Sequence, residues 1–553
     1  MDQLWGLDVE RIQQYLFSVP RLREVRRASH LLDYVIRVVA PKDISSCGGT
    51  PVSAAAGNVK ALIPAGKSEE LSRTILQAFG QALPGLQVVC AGTKVDGSGL
   101  AEVLEALARS LDDAKGAKPP VAAFPHAGIM EYCALCRQAP AVKRRKAPGG
   151  KETESLCSDC LARAEFDPDR HSTPIRRLEE RLESKGREID AASAWKAPDS
   201  IAELITGVKC EDERRADAEI ERLHPRRRYI GLVVADGNRL GRKWHAAEYR
   251  DGDLRSQAKQ ASKCSEAIDE VVRASIIEAM EECWSQQQRA ASKGAALLPI
   301  MPLLVGGDDI VVLCRASIAV PFAAALCRLF GEKTAACGDI ALVGGRLSLS
   351  AGVAIAHHKF PMLRLHALAK DLMQEAKGLS DACAGNSDGA EVGSLSFLRI
   401  TSAMSGGLRA ERDALVVKHP GAAAIRTRLT CCPYTALGSG QNAPDRVPDI
   451  RMLLTAADQI RKGGLPRGRL HRAAEWPRLA PDERARVIAE ETARLDRGPK
   501  ACLDSLSLTL GCAANSASRP ARAPKFQAPG NTVVRYEWES PYQDLLDLEA
   551  CDV

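Results

Sequence analysis

The sequence lacks any long uncharged apolar run, and no stretch approaches the ~18 residues that a membrane-spanning helix needs. Residues 1–17 carry Asp2, Asp8, Glu10 and Arg11 among their apolar residues, so we expect no cleavable leader. A His-Asp dipeptide occurs nowhere, so the site of a metal-dependent HD phosphohydrolase is not visible. We therefore expect a soluble cytoplasmic protein that makes no membrane contact.

The length of 553 residues and the hydrophobic content of 45% indicate about three or four globular units. A net charge of +6 suits an acidic partner but does not identify one. Most of the 18 cysteines are scattered singly in apolar segments, which without a secretion signal predicts reduced, buried thiols. Four cysteines, however, form a pattern.

Two C-x-x-C pairs, "CALC" (Cys133 and Cys136) and "CSDC" (Cys157 and Cys160), are separated by twenty residues. Two such pairs can form the tetrahedral four-sulfur shell that zinc accepts, and a shell filled by thiols indicates structural rather than catalytic zinc. An iron-sulfur cluster and four unrelated thiols are the alternatives. The loop between the pairs, "VKRRKAPGGK", is basic and indicates either a solvated surface or a nucleic-acid contact.

The order of predicted elements occurs twice along the chain. Residues 4–114 read as strand, helix, a hairpin around Gly57 and Asn58, helix, strand and helix, which is the ferredoxin-like βαββαβ order. Residues 229–400 repeat it, with a strand that ends at Asp236, a long helix, the hairpin "PLLVGGDDIVVLC" and a further helix, strand, helix and strand. We infer an α+β fold with an internal duplication.

The second hairpin carries two adjacent acids, Asp308 and Asp309, where a tight turn joins two buried strands. Gly306 and Gly307 leave room for a ligand there, and a neighbouring strand would bring Asp236 to the same rim. Three converging carboxylates repel one another unless divalent cations neutralise them, as two Mg²⁺ or Mn²⁺ ions do in nucleotidyl transfer. An ordinary surface turn is the alternative reading.

Other residues near this strand end are candidates for nucleotide contacts. Gly237 has an accessible carbonyl, and "GNRLG", with Asn238 and Gly241, leads into a helix whose amides can face phosphate. Lys377 closes "LMQEAK", where it can suit the carboxyl end of a helix or contact a triphosphate.

The segments "LDVERIQQYLFSVPRLREVRRASHLLD", "CALC", "CSDC", "VADGNRLG", "VGGDDIVVLC" and "LSAGVAIAHHKFPMLRLHALAKDLMQEAK" resemble, in this order, the large subunit of type III CRISPR effector complexes, the cyclic-oligoadenylate synthase. The resemblance covers residues 4–400 and extends weakly beyond. It implies the following domains: a degenerate first Palm at 1–120, a zinc-binding domain at 121–175, a helical connector at 176–225, a second Palm with the active site at 226–405, a helical domain at 406–510 that packs on small subunits, and a linker and tail at 511–553.

The resemblance implies that Gly306, Gly307, Asp308 and Asp309 form the nucleotide- and metal-binding turn, with Asp236 as the first-strand ligand. Gly57 and Asn58 replace the acidic pair in the first Palm, so we expect that copy to support nucleotide without chemistry. Asn238 stands where the family has a second acid, and an amide ligates a hard cation without neutralising its charge, which predicts weaker metal binding or an altered product.

The implied function is the conversion of ATP, bound between the Palms, into cyclic oligoadenylate when guide RNA in a multi-subunit complex pairs with target RNA. No HD nuclease activity is expected, since the chain starts directly at the first Palm. A non-catalytic scaffold, suggested by Asn238, and a Palm-type cyclase with another nucleotide product remain alternatives. A diguanylate-type cyclase is disfavoured by Ile310 in place of phenylalanine and by the zinc insertion.

Overall fold

The computed structural model describes most of the chain. The described residues are 2–55, 57–95, 99–117, 130–147, 153–189, 195–207, 209, 213–223, 225–247, 249, 253–284, 297–385, 391–401, 407–418, 426–438, 447–463, 465–479, 481–494, 497–509, 519–520 and 538–549. Their mixed sheets and helices confirm the predicted α+β class. None of the described helices is long and apolar enough to span a bilayer.

The first sheet unit (residues 2–117) is a four-stranded antiparallel sheet in the order β2-β3-β1-β4. Its elements are β1 (Asp2–Glu10), α1 (Ile12–Leu16), α2 (Leu22–Tyr34), a π-helical turn (Val35–Val39), α3 (Ala40–Ser46), β2 (Thr50–Ala55), β3 (Asn58–Pro64), α4 (Ser68–Ala82), β4 (Gln87–Lys94) and α5 (Leu100–Gly116). Side chains of β1 alternate between two buried faces, because Leu4 packs with Leu107 of α5 whereas Trp5 and Leu7 join the core on the opposite face.

The cysteine module and a helical connector follow. Their elements are β5 (Lys143–Lys146), β6 (Thr153–Leu156), α6 (Ser158–Glu165), α7 (Pro174–Ile189), α8 (Ile201–Thr206) and α9 (Glu213–Arg222). The helices α7 to α9 lie between the two sheet units in the sequence.

In the second sheet unit (residues 225–401), four strands repeat the order of the four strands of the first. Its elements are β7 (Tyr229–Gly237), α10 (Leu240–His245), α11 (Leu254–Cys283), β8 (Ile300–Gly306), β9 (Asp309–Arg315), α12 (Ala316–Ala336), β10 (Leu349–His357), α13 (Met362–Ala384) and β11 (Gly393–Arg399). The sheet runs β11-β10-β7-β9-β8, so β7 lies between the acidic hairpin and β10 just as β1 lies between β3 and β4.

The carboxyl-terminal region differs from the helical domain expected after residue 400. Its elements are α14 (Gly407–Ala414), β12 (Val416–Lys418), β13 (Arg426–Arg428), β14 (Tyr434–Ala436), α15 (Ile450–Gly463), α16 (Arg467–Glu475), α17 (Pro481–Ala493), α18 (Arg497–Thr509), β15 (Arg519–Pro520), β16 (Trp538–Glu539) and α19 (Tyr542–Glu549). The expectation is corrected at residues 416–436, where short strands form because they find partners: β14 adds to β11, while β12, β13, β16 and β15 form a small sheet.

The last helix, α19, docks on this region, since Asp544 accepts hydrogen bonds from Thr430, Tyr434 and the amide of Cys431. Apart from residues 519–520 and 538–549, the predicted linker and tail at 511–553 lie outside the described residues.

The two sheet units pack on each other through equivalent elements. Helix α2 of the first unit contacts β8 of the second, and α11 of the second contacts β2 of the first. In one of these contacts the buried Ser29 of α2 donates a hydrogen bond to the carbonyl of Leu303. This reciprocal packing brings the edge of α1 and α2 beside the acidic hairpin of the second unit.

Candidate functional site

Asp236 lies at the end of the central strand of the second sheet unit. Residues 230–235 of β7 are buried, because both faces of this strand are packed against other elements. Asp236, which follows them, is partly exposed. In the β7–β9 ladder Ala235 is opposite Ile310, so the next position sets Asp236 beside Asp309 at the hairpin tip. The strand therefore delivers a carboxylate to the acidic turn.

The acidic turn (residues 306–309) is closed by pairing of Gly306 with Asp309, and Gly307 adopts a φ of 60° that favours glycine. Asp308 lies directly against Gly237. A Cβ atom added at Gly237 would come within 2.5 Å of an Oδ atom of Asp308, so only glycine allows this approach. Gly237 thus permits the contact between Asp308 and Asp236.

Burial and neighbouring charges perturb the two carboxylates of the acidic turn. Burial, and then the charge of Asp236, raise the pKa of Asp308 to about 7. Burial, followed by the charges of Asp236 and Asp308, raises the pKa of Asp309 to about 7 as well. Crowded acids of this kind, partly buried and rich in oxygen ligands, are suited to hard divalent cations such as Mg²⁺ or Mn²⁺.

Lys377 supplies a cation at the rim, where its ammonium group forms an ion pair with Asp236. The predicted end of the helix at Lys377 is wrong, because α13 continues to Ala384 with Gly378 and Ser380 buried inside the fold. Lys377 therefore lies within the helix, and its contact with Asp236, rather than the helix dipole, fixes its position.

Asn238 is buried beneath the rim, and both the nitrogen and the oxygen of its side-chain amide are hydrogen-bonded. Its nitrogen donates to the hydroxyls of Ser348 (2.8 Å) and Ser380 (3.0 Å), and its oxygen accepts from Ser350 (2.7 Å). The side chain is 3% exposed. These contacts give Asn238 a structural role, and its contact with metal or nucleotide remains a prediction.

Gly241 lies in α10, with open space around its α-carbon. Arg239, which precedes this short helix, is ion-paired with Glu391 at 3.0 Å, and Lys243 is paired with the same carboxylate at 2.9 Å. Both cations point to Glu391 and not to the acidic turn.

Sequence reasoning missed Gln13, which the first sheet unit contributes to the site. Its Nε2 atom donates to the two carboxylate oxygens of Asp309, at 3.4 and 3.5 Å. Gln13 lies on α1, which follows β1 as α10 follows β7. No motif marks this residue, since the contact depends on how the two units pack.

The first sheet unit also retains part of the site. Asp8 is opposite Asn58 in the β1–β3 ladder, as Asp236 is beside Asp309 in the second unit. Lys115 forms an ion pair with Asp8 at 2.6 Å. Lys115 is the sixteenth residue of its helix and Lys377 the sixteenth of the equivalent helix, so alignment of the two copies element by element would have found this pair.

The four patterned cysteines converge. The sulfur atoms of Cys133, Cys136, Cys157 and Cys160 all lie within 4.8 Å of one another, and those of Cys136 and Cys157 are 3.7 Å apart. Tetrahedral zinc with its usual sulfur distances needs separations of about 3.8 Å. The four thiols can therefore hold a metal ion such as zinc.

The cysteine module supports the first sheet unit next to the site. Arg163 of α6, which is fully buried, donates to the carbonyl of Tyr15 at 3.1 Å and lies 4.0 Å from the centre of its ring. The hydroxyl of Tyr15 donates to Asp159, which lies between Cys157 and Cys160 in the sequence. The carboxyl end of α1, and with it Gln13, therefore depends on the module's helix.

The basic run at residues 143–146 is largely neutralised by neighbouring acids. The ion pairs are Lys143 with Glu165, Arg144 with Glu131, and Arg145 with Glu154. These pairs favour the interpretation of the run as solvated surface.

Part of the chain that contains this site matches a known protein family. The model of the second palm domain of Cas10/Cmr2 matches residues 229–384. This match confirms the predicted resemblance to the Cas10-like large subunit of type III CRISPR complexes. No curated protein matches the sequence.

Among solved structures, the chain is similar to the apo Csm1–Csm4 cassette (16% identity, TM-score 0.41), covering 71% of this chain and 53% of that chain. The cassette in complex with cA3 is 16% identical with a TM-score of 0.41, covering 76% and 56%. The cassette in complex with cA4 is 14% identical with a TM-score of 0.45, covering 99% and 70%. The chain spans about half the length of the first of these relatives.

Proposed function

We propose that this chain is a nucleotidyltransferase that joins ATP molecules into cyclic oligoadenylate, as the large subunit of a type III CRISPR complex. The observation that carries the proposal is the convergence of Asp236, Asp308 and Asp309 at one rim beside Lys377. The match of residues 229–384 to a Cas10/Cmr2 palm domain supports it.

The donor set at the rim fits two divalent cations, since three converging carboxylates, of which Asp308 and Asp309 have raised pKa values, present oxygen ligands and excess negative charge. Asp236, Asp308 and Asp309 would hold them. When bound, Mg²⁺ or Mn²⁺ ions lower the pKa of an attacking hydroxyl and stabilise the charge on a leaving pyrophosphate.

The residues of the chain would then bind and orient two ATP molecules. The 3′-hydroxyl of one ribose attacks the α-phosphate of the other ATP, the bond to pyrophosphate breaks, and the hydroxyl proton is lost to solvent. Lys377 would exchange its contact with Asp236 for the oxygens of the departing pyrophosphate. Repetition, followed by attack of the last 3′-hydroxyl on the first α-phosphate, breaks the bond from that phosphate to its pyrophosphate and closes the ring.

The first sheet unit would hold the second nucleotide. Gln13 already reaches Asp309 across the interface, and the pair Asp8–Lys115 repeats Asp236–Lys377 without the acids of the turn. This asymmetry supports a division in which both units bind ATP and one performs chemistry.

The proposed partners are a guide RNA, a target RNA and the other subunits of a type III complex. Their support is the family match, together with the Csm1–Csm4 cassettes to which the chain is similar. Zinc held by the four cysteines would be structural, because all four positions of the shell are thiols.

The test is incubation of the purified complex and target RNA with ATP and Mn²⁺, with pyrophosphate and cyclic product as the measured outputs. An Asp308→Ala, Asp309→Ala double variant should lose both, by at least about 100-fold. Unchanged product in this variant would remove the assignment. A wild-type complex without pyrophosphate at any metal concentration would favour the scaffold alternative.

A further inference from the structure

Arg37 connects the two sheet units at a buried position beneath the acidic turn. It lies in the π-helical turn that interrupts the helical segment after α2, and its side chain is 8% exposed. Its Nε atom is 3.1 Å from a carboxylate oxygen of Asp33, and its two terminal nitrogens both donate to Asp269 of α11, one of them at 2.8 Å. A bidentate pair of this kind fixes the relative position of the two groups.

Asp269 in turn holds the backbone of the turn. Its Oδ1 atom accepts a hydrogen bond from the amide of Gly307 at 3.2 Å, and Arg37 itself donates to the carbonyl of Val305 at 3.4 Å. Arg273, one turn further along α11, also pairs with Asp269. Two backbone groups of the hairpin are therefore fixed by a pair that crosses from the first unit to the second.

These bonds control where the catalytic carboxylates lie. Asp308 and Asp309 follow Gly307 directly, so a change at the Gly307 amide changes the direction of both side chains. Glycine is conformationally permissive, and Gly307 at a φ of 60° needs outside contacts to stay in one conformation. A displacement of about 1 Å can cost two orders of magnitude in rate.

The same network reaches the chain that leaves the cysteine module. The second oxygen of Asp33 accepts from the amide of Ile175 at 2.9 Å, at the beginning of α7. Arg37 therefore lies between this helix start and the acidic turn. π-helical turns are rare and are often found at functional sites.

We propose that Arg37 is a positioning residue for the acidic turn, acting through Asp269 and the Gly307 amide, so that the first sheet unit sets the carboxylate geometry of the second. Its effect on turnover rests on the proposed function, whereas its effect on the conformation of the turn does not.

The experiment measures hydrogen-deuterium exchange of the full-length protein, in the peptide that covers residues 303–310, together with Mn²⁺ affinity by titration. The variants are Arg37→Ala, Asp269→Ala and the conservative Arg37→Lys. The matched control is Arg26→Ala, because Arg26 is a buried arginine of α2 with ion pairs to Glu179 and Asp199 and is equally charged. The described hydrogen bonds of Arg26 go to Glu179 and Asp199, and none of them reaches the acidic turn.

We expect exchange at the turn to rise about tenfold in Arg37→Ala and Asp269→Ala and Mn²⁺ affinity to fall by a similar factor. Arg37→Lys should restore part of both, and Arg26→Ala should change neither, although it lowers the melting temperature. Equal exchange at the turn in Arg37→Ala and wild type, or an equal rise in Arg26→Ala, would overturn the proposal. If wild type makes no pyrophosphate while the exchange pattern holds, the proposed function fails and the positioning role stands.

Discussion

Lys115 and Asp8 form an ion pair at the end of β1 in the first sheet, with 2.6 Å between Nζ and Oδ2. They occupy the positions that Lys377 and Asp236 occupy in the second sheet. The two sheet units therefore share a carboxylate and a lysine and differ in the turn. Acids stand at this turn in one unit, and Gly57 and Asn58 stand there in the other. The metal chemistry that we propose therefore belongs to the second unit only.

Metal binding should reverse a pH-dependent loss of stability. Without divalent cations, Asp308 and Asp309 have pKa values raised to about 7, against an ordinary value of about 3.9. Between these pH values the two acids bind more protons in the folded chain than in the unfolded chain. Their contribution to stability is therefore largest below about pH 3.9 and is lost as pH rises through 7. We expect a loss on the order of a few kcal/mol, and recovery at pH 8 with millimolar Mn²⁺.

Melting curves from pH 5 to 8.5, with and without Mn²⁺, check this expectation. The Asp308→Asn, Asp309→Asn variant is the control, because it keeps the shape of both side chains and removes their titration. Its curve should be flatter and should not respond to Mn²⁺. Identical pH dependence in variant and wild type would contradict the coupling of these acids.

Gln13→Ala should lower turnover about three- to tenfold, the range that the loss of one hydrogen bond of ordinary strength implies, since both contacts to Asp309 are long, at 3.4 and 3.5 Å. The reason is that Gln13 holds the carboxylate of Asp309 from the first unit. Gln14→Ala is the matched control, since Gln14 is the next residue of α1 and is exposed. The rate of pyrophosphate release is measured for both variants. Equal losses of this rate in the two variants would show that α1 matters only for folding.

Asn238→Asp should destabilise the protein by about 1–3 kcal/mol without improving metal binding. The hydroxyls of Ser348 and Ser380 donate to Glu391 and to the carbonyl of Val392, so they present acceptors to Asn238. A carboxylate there would meet oxygen lone pairs. Urea unfolding and Mn²⁺ titration test the prediction, with Asn238→Ala as the uncharged control. Tighter Mn²⁺ binding with unchanged stability would instead make residue 238 a metal ligand.

Removal of the metal from the four-cysteine site should lower the melting temperature by more than about 5 °C, because the metal links segments that are distant in sequence. Cys136→Ser should lose the bound zinc and show the same change, whereas Cys47→Ser, outside the cluster, should keep both. Zinc content by elemental analysis and melting curves provide the measurements. Loss of activity at a constant melting temperature would contradict a structural role.

Local patterns in the sequence were sufficient for most of the second sheet unit. Two features can be recognised from the sequence, because each depends only on neighbouring residues in the chain: a buried strand that ends in an acid, and a glycine-rich turn between two apolar runs. The spacing of Cys133, Cys136, Cys157 and Cys160 is readable for the same reason. The end of α13 and the strands after residue 415 were not, since both depend on partners elsewhere: Gly378 is buried in the fold, and β14 pairs with β11.

The sequence by itself determined which residues can carry chemistry: the acids of the turn, the acid at the end of β7 and the four thiols. The tertiary structure alone decided which side chains surround them. Gln13 lies 296 positions from Asp309, and Arg37 lies 232 positions from Asp269. Contacts over such separations arise only when the two sheet units pack, because hydrophobic burial sets their relative position and no short-range pattern records it.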